Sequence, residues 1–386
     1  MELPPLSLYI HIPWCVRKCP YCDFNSHKAD LTLPEDDYIA ALLDDLDQEL
    51  YWLTQHHIPP RPIKSIFFGG GTPSLLSVEA YQTLFNGLRQ RLIFDPSIEI
   101  TLEANPGTFE AEKFKGYFDL GINRLSIGIQ SFADKQLQHL GRIHSGDDAF
   151  AAVELAKAAG FDNFNLDFMH GLPEQSSADA LADLQKGIDL QPTHISWYQL
   201  TIEPNTEFYK FPPKLPKDET LWDIQEQGQA LLAQAGFKQY EISAYAKAGK
   251  QAQHNVNYWQ FGDYIGIGAG AHGKLTIPHA DPTQSKIYRT AKTRLPKDYL
   301  NLIKPFLVKR ENIELGDRDL ECLMNGLRLF DGISSELFSA RTGLSFDYIK
   351  NKIETLQSQD LLEKGEQIKT TAKGQLFLNE VLEKFI

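Results

Sequence analysis

Residues Tyr9–Phe24 read "YIHIPWCVRKCPYCDF" and hold three of the chain's four cysteines. Cys15, Cys19 and Cys22 form a C-x3-C-x2-C pattern directly after an alternating apolar run, Leu6–Ile12, that predicts a β-strand. The fourth, Cys322, lies 300 residues beyond Cys22 in "DLECLMNGL", the apolar spacing of an ordinary amphipathic helix. Such clustering signals metal or redox chemistry rather than a disulfide framework. A structural zinc site needs four closed ligands. The best local fourth is His27, but C-x3-C-x2-C-x4-H is not a usual zinc spacing. Most protein-bound iron–sulfur clusters take four thiolates. Three thiolates therefore suggest a 4Fe–4S cluster with one iron left open to an outside ligand, against the alternatives of a zinc staple or inert buried thiols.

Working outward, strands are expected at Leu6–Ile12, Ile63–Phe68, Ile98–Glu103, Arg124–Ile129, Asn163–Phe168 and His194–Leu200, with a seventh at Tyr240–Ala244. Amphipathic stretches separate them. The clearest runs from Pro34 to about His56, with Tyr38, Leu42, Leu46 and Leu50 every fourth residue. Another places Leu181, Leu184 and Ile188 at helical spacing. Repeated βα units imply a parallel sheet with helices outside, and six or seven of them suggest a partial barrel. Reactive groups in such folds sit past the C-terminal ends of the strands. "GGGTP", "EANP", "QSF" and "DFMHGLP" all fall there, as do the cysteines.

At 386 residues, with 42% hydrophobic and 23% charged residues, the chain is expected to form a two-domain globular protein. No apolar run is long enough to span a bilayer, and the first residues lack a signal peptide's pattern. Few, clustered cysteines suit a reducing cytosol, and a net charge of −13 argues against nucleic acid as partner. Residues 1–275 are expected to form the barrel and 276–316 a basic, loop-like linker. Residues 317–386 are expected to form a mostly helical, winged-helix-like domain with a hairpin at Leu361–Thr371. That module carries nine Lys/Arg against twelve Asp/Glu, so packing or covering a substrate fits it better than DNA binding. "GIGAGAHG", Gly266–Gly273, contains G-x-G-x-x-G. Its sequel "KLTIPHADP" has no helical period, so a close-packed loop is expected, not a dinucleotide site. His272 within it is a weak candidate for cofactor or substrate contact.

The cysteine spacing, with Tyr21 just before the third cysteine, resembles the radical S-adenosylmethionine (SAM) superfamily. "YIHIPWC", "FFGGGTPS", "LEANPGT", "RLSIGIQSF" and "LDFMHGLPEQ" resemble, in order, the branch containing the oxygen-independent coproporphyrinogen III oxidases. The resemblance covers nearly the whole chain. It implies a radical-SAM partial (β/α)6-type barrel in which Cys15, Cys19 and Cys22 hold the cluster and SAM takes the open iron. It further implies that Tyr9 lies beside SAM and that Gly70, Gly71 and Thr72 hold its methionine end. Glu103 and Gln130 would meet the ribose region, Arg142 would neutralise a carboxylate, and Asp167 would complete the adenosyl pocket.

Two departures set the chain apart from those oxidases. Their motif continues to C-x3-C-x2-C-x-C, whereas position 24 is Phe. Their segment enclosing the porphyrinogen ahead of the first strand has no counterpart before Leu6. "HNVNYW", His254–Trp259, instead matches the H-N-x-x-Y-W motif of the heme-chaperone relatives of the oxidases. Imidazole is a usual axial ligand of heme iron, and Tyr258 and Trp259 offer flat apolar surface for a macrocycle. A lone histidine among aromatics is, without that motif, more often a core residue. The resemblance thus implies a heme chaperone passing heme to respiratory-chain hemoproteins, and it leaves room for a dimer and peripheral membrane association. The competing expectation is decarboxylation of coproporphyrinogen III to protoporphyrinogen IX.

Overall fold

In the computed structural model, which describes residues 2–30, 32–108 and 111–386, one large mixed sheet organises the chain. Its strands are β1 (Leu6–Ile12), β2 (Ile63–Gly70), β3 (Phe94–Ala104), β4 (Arg124–Gln130), β5 (Phe164–His170) and β6 (His194–Gln199). There follow β7 (Lys238–Glu241), β8 (Ala244–Ala246), β9 (Asp263–Ile267), β10 (His272–Ile277), β11 (Lys286–Lys292) and β12 (Leu307–Asn312). The spatial order is β12-β11-β10-β9-β1-β2-β3-β4-β5-β6-β8-β7. From β9 to β6 every neighbouring pair is parallel. The remaining strands extend both edges antiparallel. The order is linear and the edge strands do not meet, which is the architecture of a partial barrel.

Period-two alternation sorts the side chains into two layers. Leu6, Leu8, Ile10 and Ile12 of β1, Ile66 and Phe68 of β2, and Leu125, Ile127 and Ile129 of β4 are buried in the main core. Helices cover that face. The helix α1 (Glu35–Gln55) presents Tyr38, Leu42 and Leu46 to the core, with Leu50 partly buried, as its four-residue spacing predicts. The opposite face is polar: Ser7, Tyr9 and His11; Ser65; Glu99, Thr101 and Glu103; Arg124, Ser126 and Gln130; Asn165 and Asp167; His194, Ser196 and Tyr198. Hydrogen bonds knit it together, among them Ser7–Ser65 at 2.7 Å, Asn165 Nδ2 to Ser126 Oγ at 2.8 Å and His194 Nδ1 to Asn165 Oδ1 at 2.6 Å. A layer of this polarity is paired internally or offered to a ligand.

Two expectations change. Tyr240–Ala244 is no parallel seventh strand: it is divided between β7 and β8, a hairpin whose β8 pairs antiparallel with β6. The seventh parallel strand is β9, which pairs with β1. The Gly266–Gly273 stretch is the tight connection from β9 to β10. A Cβ on Gly266 would stand 1.9 Å from the His272 carbonyl oxygen, so the glycine lets two strands cross closely, and no helix follows. Nor is 276–316 a loop: β11 and β12 lie in it. Two of their basic residues turn inward to acids on α1, with Lys292 bonded to Glu49 at 2.6 Å and to Asp45, and Arg310 bonded to Glu49 at 2.6 Å.

Beyond it come helices at Arg318–Gly326, Ser335–Thr342 and Lys350–Ser358, and an isolated bridge Leu362–Thr370 closes the expected hairpin. A two-residue strand pair, Ile333–Ser334 with Gln367–Ile368, braces it. Cys322, Leu323, Phe338 and Leu356 share one core with Tyr240, Ala244, Phe261 and Ile287 of the barrel. The module is therefore sealed onto the sheet.

Candidate functional site

Past Ile12 the chain leaves β1, loops out and returns. Trp14 and Cys15 pair in parallel with His27 and Lys28. The base is closed by His27 N–H to Pro13 O at 2.7 Å and Ala29 N–H to Cys15 O at 2.8 Å. Cys19 and Cys22 ride the loop between, tied by Cys22 N–H to Cys19 O at 3.1 Å. All three thiols are free and half-buried. Each sulfur meets a donor: the Thr72 hydroxyl reaches Cys15 Sγ at 3.5 Å, Arg142 Nη1 reaches Cys19 Sγ at 3.6 Å, and Ser26 Oγ lies 3.7 Å from Cys22 Sγ. Burial pushes the Cys15 and Cys22 thiols up, and each hydroxyl pulls back toward thiolate. The other two thiols also raise Cys15, so the three feel one another's charge. Among the described residues no three His, Cys, Asp or Glu side chains converge where a single metal ion would sit.

At the end of β2, Gly70 takes φ +112°, and a Cβ there would fall 2.5 Å from the His11 ring. A Cβ on Gly71 would lie 2.5 Å from the Trp14 carbonyl oxygen. The Gly71 N–H is given to Ile12 O and the Thr72 N–H to Trp14 O, both at 2.7 Å. These glycines therefore dock the turn against the root of the cysteine loop, a structural reason that stands apart from any ligand.

Asn105 then links the parts: its Nδ2 donates to Thr72 Oγ1 at 2.9 Å and its Oδ1 accepts from Arg142 Nη2 at 2.6 Å. Arg142 also donates to Gly128 O at 3.0 Å. A narrow cleft beside Cys19 is lined by Val16, Arg17, Thr72, Asn105, Arg142 and His144. Deeper in the barrel, Glu103 accepts the Gly70 N–H at 3.1 Å. Burial, and then the neighbouring Asp167, push the Glu103 carboxyl up to about 8. Asp167 is raised by burial against the hydrogen bonds of Asn165 and Ser126. Gln130 takes φ +68° and accepts from Tyr198 at 2.9 Å. Tyr9 stacks on Phe67 at 6.3 Å and its hydroxyl meets His11 Nδ1 at 2.9 Å.

The matched aromatic motif lies elsewhere, on the helix α2 (Gln253–Trp259). Glu99 accepts from the Gln253 and His254 N–H groups at 2.8 and 3.4 Å, capping this helix from the sheet. His254 is buried, with Nδ1 3.3 Å from Ser65 Oγ and its ring 5.1 Å from Phe67 and 6.2 Å from Tyr9. Burial, helped by Arg124, lowers it to about 4, so it is a neutral imidazole. Tyr258 packs on Tyr264, while Trp259 lies under the Arg328 guanidinium at 4.4 Å and joins the C-terminal core. The Tyr258 and Trp259 rings meet edge-on, 4.9 Å apart at 86°, so together they form no flat surface. Five residues along a helix is a turn of about 140°, which sends Trp259 away from His254. His272 is exposed at the start of β10.

The structure thus gathers Cys15, Cys19, Cys22, Thr72 and Arg142 at the barrel mouth, with Gly70, Gly71 and Glu103 next to them. It sets Gln130, Asp167 and Tyr9 along the interior and brings His254 close to Tyr9. Sequence reasoning overlooked Asn105, although it stands in the quoted "EANP". It also overlooked Glu99, whose alternation with Thr101 and Glu103 in "IEITLEA" places it on the polar face.

Residues 9–186 match the model of the radical SAM superfamily, and residues 315–377 that of the HemN C-terminal domain. The heme chaperone HemW of Haemophilus influenzae is 54% identical over 386 residues, covering 100% of this chain and 99% of that one. Its Escherichia coli counterpart is 51% identical with 100% and 99% covered. The Bacillus subtilis heme chaperone HemW is 34% identical, with 98% and 99% covered. Among solved structures, coproporphyrinogen III oxidase (HemN) from Escherichia coli aligns with a TM-score of 0.80 at 22% identity, covering 99% of this chain and 90% of that one. At that identity the likeness concerns the fold.

Proposed function

This chain belongs to the HemW family of radical SAM proteins, and we propose that it is itself a heme chaperone that holds a 4Fe–4S cluster and SAM. In this reading it delivers heme to hemoproteins of the respiratory chain. One observation carries the cluster assignment: three thiols on one short loop, each facing its own donor, with Arg142 aimed at Cys19. Hydrogen bonds to sulfur favour the thiolate that iron requires. Bound there, the cluster and SAM would supply one-electron chemistry. The protein's part is to orient the thiolates, to present Arg142 and Asn105 to an anionic group, and to offer the Glu103 and Asp167 carboxyls to hydroxyls deeper in the barrel.

For heme, support comes from the H-N-x-x-Y-W motif and from the neutral state of His254, since iron binds the unprotonated ring. Its Nδ1 faces Ser65, so Nε2 is the nitrogen left to ligate. Heme would have to reach it through the barrel interior past Tyr9, not from an exposed aromatic face. Phe24, where the oxidases carry a further cysteine, stands 60% exposed on the rim of the cysteine loop.

The test pairs two assays on anaerobically reconstituted protein: heme transfer to a heme-free respiratory cytochrome, and turnover of coproporphyrinogen III. Transfer without decarboxylation is expected. Protoporphyrinogen formed at enzymatic rates, with no heme transfer, would replace this reading by the oxidase.

A further inference from the structure

The segment 293–306 is an ordered loop whose tip exposes apolar side chains. Its base is closed by Thr293 N–H to Phe306 O and Thr293 Oγ1 to Pro305 O, both at 2.8 Å. Inside, Tyr299 is fully buried, stacks near Phe306 at 4.7 Å and donates to Asp45 at 2.7 Å. The turn is pinned by Lys304 N–H to Asn301 O at 2.8 Å. On this rigid base Leu302 and Ile303 are 92% and 94% exposed, more than any other large apolar residue described. Arg294 and Lys297 are the exposed cations of the loop, while Lys304 is paired with its one acid, Asp298, at 2.8 Å, which leaves the loop net positive in a chain of net charge −13. The loop adjoins the barrel mouth: Asn25, three residues after Cys22, donates to Arg294 O at 2.8 Å and to Ala269 O at 2.9 Å.

We propose that this loop docks the protein on an anionic lipid bilayer, inserting Leu302 and Ile303 among the acyl chains while Arg294 and Lys297 meet lipid phosphates. Two adjacent aliphatic chains at a turn fall far short of the roughly 800 Å² per partner that a stable protein interface buries. A bilayer asks for much less area, because apolar insertion and charge attraction add. The placement has a consequence for the proposed function, on which it does not depend: docking would turn the cysteine side of the barrel toward the membrane.

Flotation of the full chain with vesicles of phosphatidylcholine alone, and of phosphatidylcholine with phosphatidylglycerol, tests this without heme or SAM. The parent is expected to float with the anionic vesicles, less so as salt rises. A Leu302→Asn/Ile303→Asn variant is expected to lose about tenfold or more in partitioning, the scale of burying even one such side chain. Both side chains are almost wholly in solvent, so circular dichroism of the variant should match the parent and separate lost docking from lost fold. Lys297→Glu should weaken flotation on the anionic vesicles only. Equal flotation of parent and double variant overturns the proposal, as does a parent that ignores anionic vesicles. A lipid-free dimer that the double variant loses would assign the tip to a second copy of the chain instead.

Discussion

The cysteine loop and the His254 helix are both motif-bearing, yet the fold treats them in opposite ways. The cysteines stand half-buried on a loop at the sheet's rim, each sulfur within reach of a donor, and Cys19 lines a cleft. His254 is capped into place by Glu99, bonded to Ser65 and stacked near Phe67. The first region leaves its three thiols free, whereas the second is held in place by the fold. A motif's resemblance to a ligand site therefore carries different weight in the two places, and substitutions should separate them.

The largest effect is expected at the loop. Changing any of Cys15, Cys19 or Cys22 to Ala should abolish iron and sulfide, about four of each per chain in the parent, and with them the oxygen-bleached absorption. Apo stability should scarcely move, because these side chains anchor little packing. Cys322→Ala should do the reverse: its thiol is buried in the C-terminal core and pushed up to about 12 by that burial, so the cluster should survive and only packing suffer. Cluster loss in the Cys322 variant, or retention in a Cys15 variant, would erase the contrast.

His254→Ala should cost about 2–4 kcal/mol of unfolding free energy in denaturant titration, through the void beside Phe67 and the lost hydrogen bond to Ser65. Arg142→Ala should weaken SAM by about 10–150-fold in equilibrium binding, a loss of about 1.5–3 kcal/mol for a charge-assisted contact. Because Arg142 also holds Asn105 and Gly128, Arg142→Lys should recover only part of it. An unchanged SAM affinity in the Ala variant would remove Arg142 from the site.

The smallest expected effect is on pH. An unperturbed histidine would let heme affinity fall below pH 6.5, but His254 is lowered to about 4. Affinity should therefore stay flat from about pH 7.5 to 5.5. The same shift has a linkage consequence. With its folded pKa depressed, His254 contributes stability that is complete above 6.5 and is lost as pH falls toward 4, since only the unfolded chain takes the proton in that window. His254→Asn should flatten that part of the stability curve. Glu103 has the opposite sign: its pKa is raised to about 8, so its contribution fades as pH rises from about 4.5 through 8, and Glu103→Gln should remove that slope.

Much of this was legible in the sequence, for reasons that can be named. The alternation of "LSLYIHI" forecasts both the strand and its polar face, and four-residue spacing forecasts α1. The hidden part was long-range. Lys292 and Arg310 read locally as solvated charges in a basic linker, yet their partners Asp45 and Glu49 lie more than 240 residues away on α1. Pairing there is what allows β11 and β12 to widen the sheet. Likewise "YEISA" has strand composition, but nothing local told a parallel strand from a hairpin. Trp259 shows a third limit, since a motif names residues but not the faces they take on a short helix.

Heme titration of anaerobically reconstituted protein, run beside its Cys15→Ala and His254→Ala variants and followed by the Soret band, tests the central claim most directly. The parent should saturate near one heme per chain, with the cluster present, and the Cys15 variant should bind heme without a cluster. The His254 variant should keep its cluster but show weaker binding and an altered Soret position. A parent that takes up no heme, or a His254 variant with the parent's spectrum and affinity, would contradict the account.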